Sequence, residues 1–207
     1  MKLTSLTAIL VLLLAGPASA ATIDFRDAAA FGGANYQTSF STGIDGYTLT
    51  LTAAPSGARL YWDSTDGLGV RYSYENDEIE GRERLRIAFS TPVYLSSVLL
   101  TDLFNEGYLE RGFYRLNGTG DWIRFKADPG QTSGTNGELT LLLDSSVIVN
   151  SIAFRAPGLL PLRDQSHEFS VAAIQANAVP IPAAMWLLGS GLVGLVVMRR
   201  KINPDIR

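Results

Sequence analysis

No cysteine occurs in the 207 residues, and histidine occurs once. Disulfides, zinc–thiolate centres and cysteine nucleophiles are therefore excluded, as are metal sites built from several imidazoles. The lone His167 sits in "RDQSHEFSV" with no nucleophile elbow near it, so it reads as a structural or surface histidine rather than the base of a Ser-His-Asp arrangement. Basic residues are scarce between the two ends. Of 17 Lys/Arg, five (Lys2, Arg199, Arg200, Lys201 and Arg207) lie in the terminal segments, against one of 20 Asp/Glu, Asp205. The segment 21–178 thus holds 12 basic and 19 acidic residues, a charge of about −7. That balance argues against a nucleic-acid partner, whose phosphates require the opposite sign.

Helical periodicity is also nearly absent, and alternation takes its place. In "GYTLTLTA", Tyr47, Leu49 and Leu51 alternate with threonines, the period of a half-buried strand. "RLRIAFS" repeats this with Leu85, Ile87 and Phe89 inward and Arg84 and Arg86 outward. "VYLSSVLLTDLF", "ELTLLLD", "VIVNSIAFRAP" and "HEFSVAAIQA" supply further strands, and "FYRLNGTGDWIRFKA" reads as a hairpin turning at Asn117-Gly118-Thr119-Gly120. Asn117-Gly118-Thr119 also fits the N-glycosylation pattern, but the turn explains it better. Eight to ten short strands with Gly-, Asn- and Pro-rich turns predict an all-β fold, an antiparallel β-sandwich of jelly-roll-like or immunoglobulin-like type, over 21–177.

The body carries no strong chemical motif. Its densest acidic stretch is "DSTDGLGVRYSYENDEIEGRERL". Hard cations take oxygen ligands, so Asp63, Asp66, Asp77 and Glu80 are the calcium candidates, although their spacing departs from a D-x-[DN]-x-[DN]-G loop. No cofactor is otherwise expected. Arg82, Arg84 and Arg86 are expected to pair with these acids at the surface. Nineteen carboxylates always furnish some pair, so a glycosidase is not argued from their number. Tyr61, Trp62, Tyr72, Tyr74, Tyr94, Tyr108, Tyr114 and Trp122 either stack on sugar rings or pack the sheet.

The ends are more explicit. Residues 1–20 read as a signal peptide: Lys2, the apolar run Ile9 to Leu14, and the small residues Ala18 and Ala20, with signal peptidase cutting between Ala20 and Ala21. At the other end, "AVPIPAAMWLLGSGLVGLVVMRRKINPDIR" holds an uncharged run, 183–198, read as a single transmembrane helix. Pro180 and Pro182 suit its entry, and Arg199, Arg200 and Lys201 stop it on the cytoplasmic side, leaving 203–207 as a short tail. Gly189-Ser190-Gly191-Leu192-Val193-Gly194 matches G-x-G-x-x-G, but without a βαβ unit it is not a dinucleotide site.

The order of parts in "VPIPAAMWLLGSGLVGLVVMRRK" resembles the C-terminal sorting signal of the PEP-CTERM family. It runs from a Val-Pro-x-Pro element through a short glycine-containing hydrophobic helix to a terminal arginine cluster. Ile181 stands where the family's usual core has an acidic residue, giving a Val-Pro-Ile-Pro-Ala-Ala variant. The body stretch "NDEIEGRERLRIAFSTPVYLSSVLLTDLF" is similar to bodies carried by other members. The resemblance implies an exported protein of a Gram-negative bacterium, tethered to the inner membrane with its body in the periplasm, and the lack of a nucleophile, metal or phosphate motif favours a non-enzymatic one. An exosortase then cuts near the motif, and the product goes to the cell surface or an exopolysaccharide and biofilm matrix. It makes Val179, Pro180, Ile181, Pro182 and Ala183 the recognition element in 178–202, and exopolysaccharide is the candidate ligand of the body. The alternatives are a permanently anchored single-span envelope protein, or an enzyme acting on matrix polysaccharide.

Overall fold

The computed structural model describes residues 20–44, 46–72, 77–105, 107–132, 134–158 and 167–179, with the single residues Gly189 and Gly191. Ser19–Ala178 forms one compact unit. Most of the predicted signal peptide, Pro180 to Ala183, all but Gly189 and Gly191 of the predicted membrane segment, and Arg199 to Lys201 lie outside the described residues. Among the described residues no helix is long and apolar enough to cross a membrane.

Eleven strands lie among the described residues, one more than the upper expectation. They are β1 (Ala20–Asp24), β2 (Ser39–Ile44), β3 (Tyr47–Ala54), β4 (Arg59–Asp63), β5 (Gly67–Arg71), β6 (Arg84–Thr101), β7 (Arg111–Leu116), β8 (Ile123–Lys126), β9 (Leu139–Leu142), β10 (Ile148–Arg155) and β11 (Ser170–Ala178). One helical turn, α1 (Ala28–Phe31), interrupts them, its first turn capped by the Asp27 carboxylate, which accepts from the Ala29 amide. Every pairing between strands is antiparallel, consistent with an all-β sandwich. The main order is β4-β5-β11-β6-β10-β7-β8, with β1 on β11, β3 and β9 on β6, and β2 on β3.

The long β6 organises the body. "RLRIAFS" and "VYLSSVLL", expected as two strands, form one strand of 18 residues. Its first half pairs with β3 and β10, and its second half with β11 and β9, β10 reaching across to Val93 and Tyr94. Ser90, Thr91 and Pro92 between them are exposed and lack ladder partners, so the missing proline N–H removes no bond. Alternation works as the sequence predicts: Tyr47, Leu49 and Leu51 of β3 and Leu85, Ile87 and Phe89 of β6 are buried in one cluster with Phe154, Phe169 and Ile174. Each large apolar side chain buried there contributes roughly 1.5–3 kcal/mol. A single core fed by inward residues of opposing strands means that the sheet folds over itself.

Candidate functional site

The outward side of the β2-β3-β6-β10-β7-β8 region follows directly from register, because paired residues of antiparallel strands share a face. Ala54 pairs with Arg84, Arg84 with Arg155, Arg155 with Phe113, and Phe113 with Arg124. One position along, Ser39, Thr52, Arg86, Ala153 and Arg115 form the adjacent row. The opposite face carries the core residues Leu85, Ile87, Ile152 and Phe154. These six strands contain seven Lys/Arg and no Asp or Glu.

Trp122, immediately before β8, packs against two arginines of this face. The Cζ atoms of Arg155 and Arg115 lie 4.5 Å and 4.6 Å from its ring centre, and Arg155 also lies 5.2 Å from the ring centre of Phe113. Cation–π contacts of this kind contribute ~0.5–1 kcal/mol at exposed sites and more when desolvated. The stacking covers the Nε atoms of both arginines, which are buried without a hydrogen-bond partner. Burial, and then the positive charges of Arg84 and Arg115, hold the Arg155 guanidinium below its ordinary pKa. No described carboxylate lies within ion-pair distance of Arg84, Arg86, Arg115, Arg124 or Arg155. The expected surface pairing of Arg82, Arg84 and Arg86 with the nearby acids is therefore corrected. Strand β6 turns Arg84 and Arg86 onto a face made by basic and neutral strands, and Arg82 likewise has no carboxylate partner among the described residues.

A cleft of about 430 Å³ opens where the first row meets the loops, lined by Tyr72, Arg82, Glu83, Arg84, Arg155 and Pro55 among others. Among the described residues, Glu83 is the one carboxylate in its lining. Its two oxygens accept from the backbone amides of Tyr72 at 2.7 Å and Glu80 at 3.0 Å. Burial outweighs those bonds and pushes its pKa up to about 7. Tyr72 is 48% exposed at the rim.

The acids collect elsewhere. Asp66 is raised by burial and then by Asp63 and Asp77. Asp102 rises to about 7 through burial and then through Asp66, Asp63, Asp77 and Glu168. Glu78 rises to about 9, chiefly through burial and then through a side-chain hydrogen bond with Asp77. Two of the four calcium candidates, Asp63 and Asp77, thus act on a third, Asp66, and on Asp102, which sequence reasoning did not single out. Glu80 belongs instead to the turn that binds Glu83. Among the described residues, no group of three or more His, Asp or Glu side chains is arranged to hold a metal ion.

His167 is buried; its Nε2 accepts from Arg111 Nε at 3.2 Å, and its ring packs edge-on against Tyr108. Burial and the Arg111 charge lower its pKa. The aromatics divide as the two readings allowed. Trp62 donates to the Phe25 carbonyl at 2.6 Å, and both Trp62 and Tyr114 pack on the core, whereas Tyr72 is exposed and Trp122 holds two arginines on the outer face. Tyr74 lies outside the described residues. Asn117 adopts φ 54° and Gly118 φ 67° at the hairpin turn. The Asn117 amide donates to the Ile148 carbonyl and its oxygen accepts from the Asn150 amide, so the side chain fastens the turn to β10. Ala20 and Ala21, flanking the predicted cut, pair with Asn177 and Ala176, so the chain enters and leaves the sheet side by side.

No family model and no curated protein matches the chain. It is similar to a crystal structure of exo-beta-1,3-galactanase from Phanerochaete chrysosporium with galactose, at 13% identity and a TM-score of 0.40. The match covers 77% of this chain and 29% of that one, so the chain spans under a third of that enzyme's length.

Proposed function

We propose that this is an exported, non-enzymatic surface or matrix protein whose β body binds exopolysaccharide and whose C-terminal PEP-CTERM-like signal directs its processing. The observation that carries the binding part is the outer face on which Trp122, Phe113, Arg115 and Arg155 adjoin the Tyr72-rimmed cleft. Tyr72 offers a sugar ring an exposed aromatic face there, while the half-buried Trp122 and Phe113 rings hold the arginines, whose N–H groups can donate to sugar hydroxyls. Absence of catalysis is supported by the cleft lining. Glycoside hydrolysis uses two carboxyl groups across one bond, and among the described residues Glu83 is the one carboxylate there, both its oxygens engaged by backbone amides.

The sorting part rests on the order of Val179 to Ala183, the uncharged run 183–198 and Arg199 to Lys201. Signal peptidase and exosortase are its processing partners, and the inner membrane is its transient support. The intact mass of the protein from its native host, with and without the candidate exosortase gene, tests it. A C-terminus near Val179–Ala183 in the wild type and a full tail in the deletion are expected. Retention of Arg207 in both strains would establish a permanently anchored envelope protein instead. Pull-down of the full chain on the host's own exopolysaccharide tests the binding part.

A further inference from the structure

We infer that the face made by β3, β6, β10, β7 and β8 recognises an acidic polysaccharide, whose carboxylates or sulfate esters are clamped by Arg84, Arg115 and Arg155 beside the Trp122 ring. The inference rests on the polysaccharide-binding reading above and assigns the charge of the ligand.

Four observations converge on it. The first is an unmet charge. Arg84 and Arg155 are direct cross-strand partners, Arg115 adjoins them through Trp122, and no described carboxylate neutralises any of the three. Like charges placed directly opposite are destabilising, so an external anion gains what the protein itself withholds. Second, the cations are arginines. Of the 12 basic residues between Ala21 and Ala178, only Lys126 is a lysine. The planar guanidinium fork matches a carboxylate or sulfate bidentately, which the compact lysine ammonium cannot do. Third, the stack on Trp122 and Phe113 fixes the Arg155 side chain before any ligand arrives, which lowers the ordering cost of binding. Fourth, Arg84 and Arg155 also line the 430 Å³ cleft with Arg82 and the exposed Tyr72, and the Glu83 carboxylate in that lining is engaged by the Tyr72 and Glu80 amides, so charge recognition and room for a sugar ring coincide.

The segment 21–178 carries about −7 and gathers Asp63, Asp66, Asp77, Glu78 and Asp102 outside the basic strands. A nucleic acid, with its uniformly dense phosphates, is disfavoured by that field, whereas a polymer with one charge per sugar matches a confined basic strip. Neutral Ser39, Thr50 and Thr52 continue the face beyond the arginines and suit sugar hydroxyls.

The test measures binding of the full chain in detergent to immobilised polygalacturonate, to the same polymer after carboxyl reduction, and to double-stranded DNA. Polygalacturonate should be retained, with affinity falling roughly tenfold or more on carboxyl reduction, and falling steeply when salt rises from about 0.05 to about 0.5 M. Arg84→Gln combined with Arg155→Gln should reproduce the loss while the thermal melt stays intact. If that double variant fails to fold, Arg84→Lys with Arg155→Lys, which keeps the charge and loses the fork, should still weaken binding several-fold. Equal binding to native and carboxyl-reduced polymer overturns the acidic assignment and leaves the polysaccharide reading standing. Retention of neither polymer removes both, and tighter binding to DNA than to polygalacturonate overturns the inference in favour of nucleic acid.

Discussion

Arg84 on β6 and Arg155 on β10 face each other across an antiparallel ladder, with no described carboxylate to separate their charges. Stability alone does not account for such a pair. The core beneath it, Leu85 against Phe154, holds the two strands in register whatever stands outside. The pair therefore persists because packing outweighs a modest electrostatic cost, and that cost can be measured.

Arg84→Gln should raise the stability of the free protein by up to ~1 kcal/mol, since Arg84 makes no aromatic stack and its loss relieves Arg155. Denaturant melts at low and high salt check this. The gain should shrink in high salt, where exposed charges are screened. A destabilised variant at low salt would mean that Arg84 has a stabilising partner after all.

Trp122→Ala should act in the opposite direction. It removes the ring under both Arg115 and Arg155 and exposes their Nε atoms, at a cost of about 1–2 kcal/mol. Trp122→Phe keeps a smaller ring and should recover part of that loss. Binding to acidic polymer should fall in the same order, because the arginines lose their fixed orientation.

Much of the fold was legible before any coordinates. The alternation of Tyr47, Leu49 and Leu51 placed β3 and its buried face correctly, and the Asn117-Gly118 turn placed the β7–β8 hairpin. β4 and β5, "RLYWD" and "GLGVR", were not read as strands, because β5 is buried at nearly every position and shows no alternation. "RLRIAFS" and "VYLSSVLLTDLF" read as separate strands, whereas β6 runs through Pro92, where no ladder partner meets it. The arginine face was illegible for a different reason. Arg84, Arg115 and Arg155 are far apart in sequence, and only the insertion of β10 between β6 and β7 assembles them. In "EGRERLRI" the nearest charges along the chain are acidic, which suggested the wrong partners.

The acid cluster makes stability depend on pH in an unusual sense. Glu83 and Asp102 ionise near 7 and Glu78 near 9 in the folded protein, above their unfolded values. Between the unfolded and folded values the native state holds more protons than the unfolded chain, so stability falls as pH rises. The contribution of these acids is complete below about pH 4 and is lost on passing pH 7 and then 9. His167 opposes them. Its lowered pKa means that stability is lost as pH falls below about 6.5, its ordinary value. The melting temperature should therefore peak in mildly acidic buffer and decline steadily towards pH ~9.5. A divalent cation would relieve the same repulsion, so melts at the alkaline end are repeated with calcium and with chelator. Coincident melts assign the relief to protons, and a calcium-induced rise would show that a divalent cation relieves the repulsion as well.

Gly69 ties that cluster to the sheet. It pairs with Tyr61 on one side, while on the other the chain at Asp77 and Glu78 runs so close that a Cβ at Gly69 would overlap the Asp77 carbonyl oxygen. The next residue, Val70, donates its amide to the Glu78 carbonyl at 3.3 Å, so the two segments cannot part without losing a backbone bond. Gly69→Ala should cost more than ~3 kcal/mol or prevent folding, because the clash is with backbone rather than with a movable side chain. Gly46 offers the control. Its φ is +82° with nothing within 4 Å of a built Cβ, so Gly46→Ala meets only left-handed strain of ~1–2 kcal/mol. Chemical denaturation of the two variants side by side separates steric exclusion from backbone strain. Similar losses at both positions would show that the segment carrying Asp77 and Glu78 yields, and that the acid cluster is less tightly held than its packing against Gly69 requires.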